Sequence, residues 1–178
     1  PHAGHLRSAV IGDALKRMLL MRGYHAISDT HVGDWGTQFG ILLHAYKQAI
    51  ARDDTFVQDI KKDPFIKLQE LYIIANADED MRGKGKAEFA KLEQGDKENR
   101  TIWQWMVEIS MKKLEDSASR LMLLPFDEHL GESFYEDKMQ SIVESALTKG
   151  IAKKTADGAV MVDLIDESLD EAILIKRS

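Results

Sequence analysis

The sequence of 178 residues contains no cysteine and only three prolines. Without thiols it can form neither disulfide bonds nor zinc sites with thiolate ligands. No apolar run approaches the roughly 18–20 residues that a membrane-spanning helix requires. Acidic residues outnumber basic ones, 30 to 24, which argues against a protein that acts mainly by wrapping nucleic acid. The hydrophobic fraction of 44% is nevertheless enough for a buried core, so the composition predicts a globular domain.

Apolar residues at helical spacing predict most of the secondary structure. Helices are predicted over residues 6–22, 37–52, 56–80, 97–122 and 134–149.

Capping residues support three of these helix starts. Asp34 or Thr37 is expected to cap the helix at 37, Asp96 the helix at 97, and Ser133 the helix at 134. Charges of alternating sign crowd residues 78–100, which we interpret as a solvated helical face.

Shorter apolar stretches predict strands. Residues 24–32 and 126–133 are each typical of a short strand that runs into a loop. Asp-Gly at residues 157–158 lies between two apolar runs and predicts a β-hairpin over residues 150–162. A last short strand is expected at residues 173–175.

The most informative motif is a pair of histidines near the beginning of the sequence. His2-Ala3-Gly4-His5 directly precedes the first predicted helix, where backbone N–H groups and the helix dipole favour an anion. Gly4 has no Cβ, so a ligand can approach the backbone. The two imidazoles can donate hydrogen bonds to phosphate oxygens and stabilise charge that develops on an α-phosphate. The motif therefore predicts nucleotidyl transfer by positioning and electrostatics.

Two other interpretations of the histidines remain open. His-x-x-His could be half of a metal site, for which Asp13, His31 and Asp34 could supply further ligands. Alternatively, His2 and His5 are surface side chains at the frayed end of a helix.

Five segments extend the pattern along the whole chain. They are His-Ala-Gly-His-Leu-Arg-Ser at 2–8, Gly-Asp-Trp-Gly-Thr-Gln-Phe-Gly at 33–40, the Phe89–Trp105 run, Gly-Glu-Ser-Phe-Tyr at 131–135, and residues 149–178. In this order they resemble the arginyl-tRNA synthetases, a family of class I aminoacyl-tRNA synthetases. The first segment is similar to the HIGH signature of that class, and the third to the bacterial-type helical insertion of the family.

The resemblance implies an α/β fold, namely part of the Rossmann-type (HUP) nucleotide-binding domain, rich in helices and with a small β-hairpin region. Residues 1–62 would form the first half of the catalytic domain and residues 63–122 a helical insertion. Residues 123–178 would continue the catalytic domain, which we expect to be incomplete at both ends.

The family implies a specific reaction: arginine is activated by ATP with Mg²⁺ to arginyl-adenylate and then transferred to the acceptor end of tRNA(Arg). By position, His2 and His5 would be catalytic, and Gly4 would join them in the ATP site. His5 and Glu132 would contact arginine. The role fits Glu132 chemically, since a carboxylate is the natural bidentate acceptor for a guanidinium. Neither a metal site nor a tightly bound cofactor is implied.

For the remaining candidates, both a role in the site and a purely structural role are considered. Glu132 could instead be an exposed glutamate that the helix dipole favours. Trp35 and Gln38 are possible pocket residues, although a Trp in such a position more often packs in the core. Trp103 and Trp105 are expected to be scaffold within the insertion.

For the parent protein, the resemblance implies a cytoplasmic monomer without membrane contact. We expect the 178-residue chain to be inactive alone, which arginine-dependent ATP–pyrophosphate exchange would disprove. Where strands would be missing, Val10, Ile11 and Met18 should be exposed. Two alternatives remain: a small nucleotidyltransferase of the HxGH type, and a non-catalytic binding fragment that resembles a synthetase.

Overall fold

The computed structural model describes residues 3–156, 158–162 and 172–175. Helices dominate this part of the chain. They are α1 (Ala3–Met21), α2 (Thr37–Arg52), α3 (Asp54–Lys62), α4 (Pro64–Ala77), α5 (Glu79–Glu93), α6 (Lys97–Arg120), a 3₁₀ helix (Glu132–Lys138) and α7 (Met139–Thr148). The strands are β1 (Ala152–Lys154), β2 (Val160–Val162) and β3 (Ala172–Ile175).

The single helix predicted over residues 56–80 is in fact two. Pro64 occupies the first turn of α4, and the side chain of Asp63 caps that helix by accepting from the amide of Ile66 at 3.2 Å. Proline lacks an N–H and cannot continue a preceding helix, so α3 must end before it. The cap and the proline therefore begin a new helix at this point.

Of the three predicted caps, one is confirmed. The carboxylate of Asp96 accepts from the amide of Asn99 at 2.9 Å at the start of α6. The expectation for α2 is wrong, because its N-cap is Gly36, at φ 110°, with no side-chain hydrogen bond. Ser133 is not a cap either: it lies inside the 3₁₀ helix, and Lys138 precedes α7.

The strands predicted at residues 24–32 and 126–133 are also wrong. The two segments run side by side and share several hydrogen bonds, but their only strand-type pairing is an isolated parallel bridge between Asp29 and Glu128, with the amide of Thr30 donating to Glu128 O at 3.2 Å. Without a further strand beside them among the described residues, the extended segments do not build a sheet.

The predicted hairpin and the last strand are confirmed. β1 pairs antiparallel with β2, and β2 with β3, in a three-stranded sheet of order β1-β2-β3. Gly158 adopts φ 83° in the turn, a conformation that favours glycine. Asp157 lies outside the described residues. Pro1–Glu132 and Ser133–Ser178 form two compact units, and the sheet belongs to the second. The division into catalytic domain and insertion stays a prediction.

The core of the first unit is built between helices α2 to α6. Its buried members are Leu43, Ile60, Leu68, Leu92, Trp103 and Met106. Helices α2 and α5 approach each other closely at two glycines: a Cβ on Gly85 would lie 2.6 Å from Cα and Cγ1 of Ile41, and one on Gly40 would overlap the carbonyl of Gly85. Glycine at both positions therefore permits this helix crossing.

The charged stretch at residues 78–100 is not merely a solvated face. Glu88 of α5 is 9% exposed and Asn99 of α6 is fully buried. Asn99 Nδ2 donates to Glu88 Oε2 at 3.0 Å, and Lys47 of α2 donates to the same carboxylate at 3.1 Å. Lys91 binds the other carboxylate oxygen at 2.6 Å. This polar cluster joins three helices.

Helix α1 presents much of its apolar surface to solvent. Val10, Ile11 and Met18 are 50%, 53% and 54% exposed, as predicted. On another side, Lys16 attaches α1 to two loops: its Nζ lies 2.5 Å from Asp127 Oδ2 and 2.8 Å from Ser28 Oγ. The hydrogen bonds from Lys16 and Ser28 hold the pKa of Asp127 well below its ordinary value.

Replacing Asp127 by Asn should loosen this attachment. The carboxylate also accepts from the amide of Ser28 at 2.6 Å, so the neutral amide side chain weakens both contacts at once. We expect the Ser28 amide to exchange with solvent deuterium roughly tenfold faster. Asp116→Asn, a change on exposed α6 surface, is the control. Equal exchange in the two variants would show that Asp127 does not hold the loop.

Candidate functional site

The N-terminal end of α1 carries the first group of predicted site residues. α1 begins at Ala3, so that Gly4 and His5 lie in its first turn, where the helix dipole favours an anion. His2 lies outside the described residues. His5 lines a cleft of about 510 Å³ between α1 and the extended segment at residues 26–32. The exposed imidazole therefore lines a space large enough for a small ligand.

His31 lines the same cleft and was not assigned to the nucleotide site from sequence. Its Nδ1 lies 3.2 Å from the carbonyl oxygen of Leu130. Since a carbonyl only accepts, the contact places the proton on Nδ1 and fixes the ring orientation. No sequence spacing links His5 to His31. The sequence connects His31 with His5 only as a possible metal ligand, and its position just before the Gly33–Gly40 motif is the further signal that could have indicated it.

Glu132, the predicted arginine contact, begins the 3₁₀ helix and is exposed. Its amide donates to Val32 O at 3.0 Å. A Cβ on Gly33 would lie 3.8 Å from Glu132 Oε1, so this carboxylate packs against a position without a side chain. The fold thus brings Glu132 beside the loop that begins the Gly33–Gly40 motif.

Asp34 strengthens the contact between these two segments. The residue is 9% exposed, and a Cβ on Gly131 would lie 2.5 Å from Asp34 Oδ1. Only glycine at position 131 lets the buried carboxylate pack against the backbone that leads into Glu132. Because His31 contacts Leu130 and Val32 contacts Glu132, the two segments are joined at successive positions.

Trp35 and Gln38 turn toward the helical part of the unit. The Trp35 ring packs edge-on against Trp103, at 5.2 Å between centroids, and the Arg100 guanidinium lies 4.9 Å from the Trp35 centroid. Gln38 Oε1 accepts from the hydroxyl of Tyr72 at 3.0 Å. Their role as pocket residues stays a prediction, and both side chains connect the motif to neighbouring helices.

The described residues of the alternative metal site do not form one, and His2 lies outside them. Among the described residues, no group of three His, Asp or Glu side chains could hold a metal ion. Asp13 is engaged elsewhere: it accepts from Arg17 Nε at 2.6 Å and from the amide of Leu124 at 2.7 Å. The hydrogen bond from Arg17 and that from Leu124 lower the pKa of Asp13. In the same part of the chain, no helix has the length and apolarity needed to cross a membrane.

The sequence is similar to known proteins along its whole length. The sequence profile of the family described as tRNA synthetases class I (R), catalytic domain, matches residues 1–178. The arginine–tRNA ligase of Levilactobacillus brevis is 37% identical over 177 residues, which are 97% of this chain and 30% of that protein. That of Leuconostoc citreum is 40% identical over 167 residues, 92% of this chain and 28% of that protein.

A solved structure extends the agreement to the fold. The arginyl-tRNA synthetase of Plasmodium falciparum superimposes with a TM-score of 0.69 at 25% identity, covering 91% of this chain and 26% of that one. The fold and the motifs are thus those of a class I aminoacyl-tRNA synthetase catalytic domain. Within that class, the chain belongs to the arginyl-tRNA synthetase family. It spans about 30% of the length of the curated relatives it matches.

Family membership confirms the fold class implied by the sequence resemblance: a helix-rich part of a class I synthetase catalytic domain with a small sheet. The described residues contain less strand than a Rossmann-type description suggests: their three-stranded sheet is antiparallel and lies in the second unit.

Proposed function

We propose that this chain is the part of an arginine–tRNA ligase that binds the α-phosphate of ATP and the guanidinium of arginine. The observation that carries the proposal is the placement of Glu132: its carboxylate is exposed and packs beside Gly33, in a unit whose α1 N-terminus presents His5 to a cleft. A cation-binding carboxylate and an anion-binding helix end suit a substrate pair of arginine and ATP.

In the first step, an oxygen of the arginine carboxylate attacks the α-phosphorus of ATP, and pyrophosphate leaves with its Mg²⁺. Negative charge grows on the α-phosphate oxygens during the attack. His2 and His5 would donate hydrogen bonds to those oxygens, and Gly4 would allow the phosphate to approach the helix end. Because the donors are fixed before the reaction, they stabilise the charge without reorganisation.

In the second step, a hydroxyl of the terminal ribose of tRNA(Arg) attacks the carbonyl of arginyl-adenylate, and AMP leaves. The guanidinium would remain on Glu132, with Trp35 and Gln38 as further residues of the pocket region. We further propose that the parent protein acts as a cytoplasmic monomer and meets only the acceptor end of tRNA with this part.

Glu132→Gln tests the proposal directly. By calorimetry, the chain should bind a non-hydrolysable arginyl-adenylate analogue, arginyl-sulfamoyl-adenosine. The variant should bind at least about tenfold more weakly, because a neutral amide cannot form the bidentate charged pair with a guanidinium. The citrullyl analogue carries a neutral ureido group in place of the guanidinium. The chain and the Glu132→Gln variant should therefore bind this analogue with similar affinity.

Glu128→Gln removes an exposed carboxylate of the same segment and serves as control. If the unsubstituted 178-residue chain and Glu132→Gln bound the arginyl analogue with equal affinity, Glu132 would not be part of the arginine pocket. Binding of ATP without preference for the arginyl group would favour the HxGH-type nucleotidyltransferase. No binding of either analogue would favour a non-catalytic fragment.

A further inference from the structure

We propose that Trp103 is a positioning residue for arginine: from α6 it fixes the Gly33–Gly36 loop and, through this loop, the Glu132 carboxylate. The identity of the ligand rests on the proposed function, whereas the mechanical link between Trp103 and the loop does not. The helical part of the unit would then contribute to substrate selection without touching the substrate.

The link begins at a buried hydrogen bond. Trp103 Nε1 donates to the backbone oxygen of Asp34 at 2.7 Å, across 69 positions of sequence. Trp103 is 9% exposed and belongs to the main core cluster. Its ring is therefore held by packing, which fixes the direction in which the indole N–H donates. A buried donor and acceptor of this kind specify one position of the loop, because either alone would be left unsatisfied.

A second contact holds the next residue of the loop. Trp35 meets the Trp103 ring edge-on, with an angle of 84° between the planes, and packs against Phe89 at 5.4 Å. Arg100, one turn before Trp103 on α6, places its guanidinium over the Trp35 ring. Aromatic pairs and cation–π contacts add directional preference to this packing. Two successive loop residues are thus fixed from α6.

The loop in turn contacts the segment that carries Glu132. The Asp34 carboxylate packs on Gly131, Val32 O accepts the amide of Glu132, and Gly33 faces the Glu132 carboxylate. A displacement of Asp34 therefore acts on Gly131 directly and on Glu132 through the neighbouring Val32 and Gly33. Because a bidentate pair with a guanidinium depends on the exact placement of two oxygens, a small shift of Glu132 weakens recognition of arginine specifically.

Trp103→Phe removes the N–H and keeps an aromatic ring, and Trp105→Phe is the matched control. Trp105 lies on the same helix but packs against Tyr46, at 5.3 Å between centroids. Calorimetry on the 178-residue chain should show that Trp103→Phe lowers affinity for arginyl-sulfamoyl-adenosine about tenfold. Its affinity for the citrullyl analogue should stay within about twofold. Trp105→Phe should leave the ratio of the two affinities at the parent value.

A purely structural role would lower both affinities together, and that result would overturn the proposal. So would an unchanged ratio in Trp103→Phe. Hydrogen exchange gives a readout that needs no ligand: the amides of residues 32–36 and 131–132 should exchange faster in Trp103→Phe than in Trp105→Phe. Equal exchange in these segments overturns the positioning role even if the analogues bind. If neither analogue binds the parent chain, the proposed function fails for this chain, while the exchange result still decides the mechanical link.

Discussion

Gly85→Ala should destabilise the first unit by about 3 kcal/mol, a large share of the stability of a domain this size. The added Cβ would lie 2.6 Å from Cα of Ile41. Because that atom belongs to the backbone of α2, no side-chain rotation relieves the overlap. The two helices must separate, and the packing of the neighbouring Leu43 and Leu92 is lost with the crossing.

Gly83→Ala on the same helix is the matched control. A Cβ at position 83 meets nothing within 4 Å, and alanine is favoured over glycine in a helix by about 1 kcal/mol. The two substitutions therefore share the gain in helix propensity and differ only in the overlap. Urea denaturation should show a lower midpoint for Gly85→Ala and a higher one for Gly83→Ala. A Gly85→Ala variant as stable as the parent would mean that α2 and α5 do not cross at this distance.

Sequence patterns predicted best the elements that form between residues close in sequence. Most helices follow from apolar spacing, the start of α6 from Asp96, and the hairpin from Asp-Gly between apolar runs. Apolar spacing did not show the break between α3 and α4, or the 3₁₀ helix before α7. The segments at 24–32 and 126–133 have the composition of strands but lack neighbours among the described residues to pair with. A strand needs a partner far away in sequence, and neither period nor propensity reports whether that partner is present.

The same limit applies to the candidate site: motifs indicated single residues, but not which distant residues lie beside them. The resemblance to a family indicated His5 and Glu132 by their motifs. It did not indicate that His31 shares the cleft with His5, or that Trp103 contacts Asp34. The two histidines are 26 positions apart and Trp103 lies 69 positions from Asp34, so only the folded chain brings each pair into one region.

Glu88 illustrates why charge patterns are ambiguous. From sequence it is one of many charges that alternate in sign over residues 78–100, yet it is buried. Its partners Lys47 and Asn99 are 41 and 11 positions away. Burial alone would raise the pKa of Glu88, but the hydrogen bonds from Lys91, Asn99 and Lys47 outweigh it and lower the pKa to about 2.

This pKa gives the second large effect, a loss of stability in acid. The pKa of Glu88 is about 2 in the folded chain against an ordinary value of 4.5, so unfolding takes up a proton between these two values. The stabilisation by the ionised carboxylate is therefore complete above about pH 5 and is lost as the pH falls toward 2. Allowing for partial exposure of the cluster, we expect roughly 2–3 kcal/mol from this group.

Glu88→Gln should remove this contribution at every pH. At pH 7 the variant should be less stable than the parent by roughly 2–3 kcal/mol, because Lys47 and Lys91 both lose their ion pair with Glu88. Lys47 then keeps only the exposed Glu98, 2.9 Å away, as a carboxylate partner. The difference between parent and variant should shrink as both are acidified from pH 5 to pH 2, since the parent then loses the same charge. Other carboxylates, Asp127 among them, titrate in both proteins and cancel in the difference. Glu93→Gln, on the exposed side of α5, should track the parent throughout. A constant difference between parent and Glu88→Gln over this pH range would show that Glu88 acts through packing rather than through its charge.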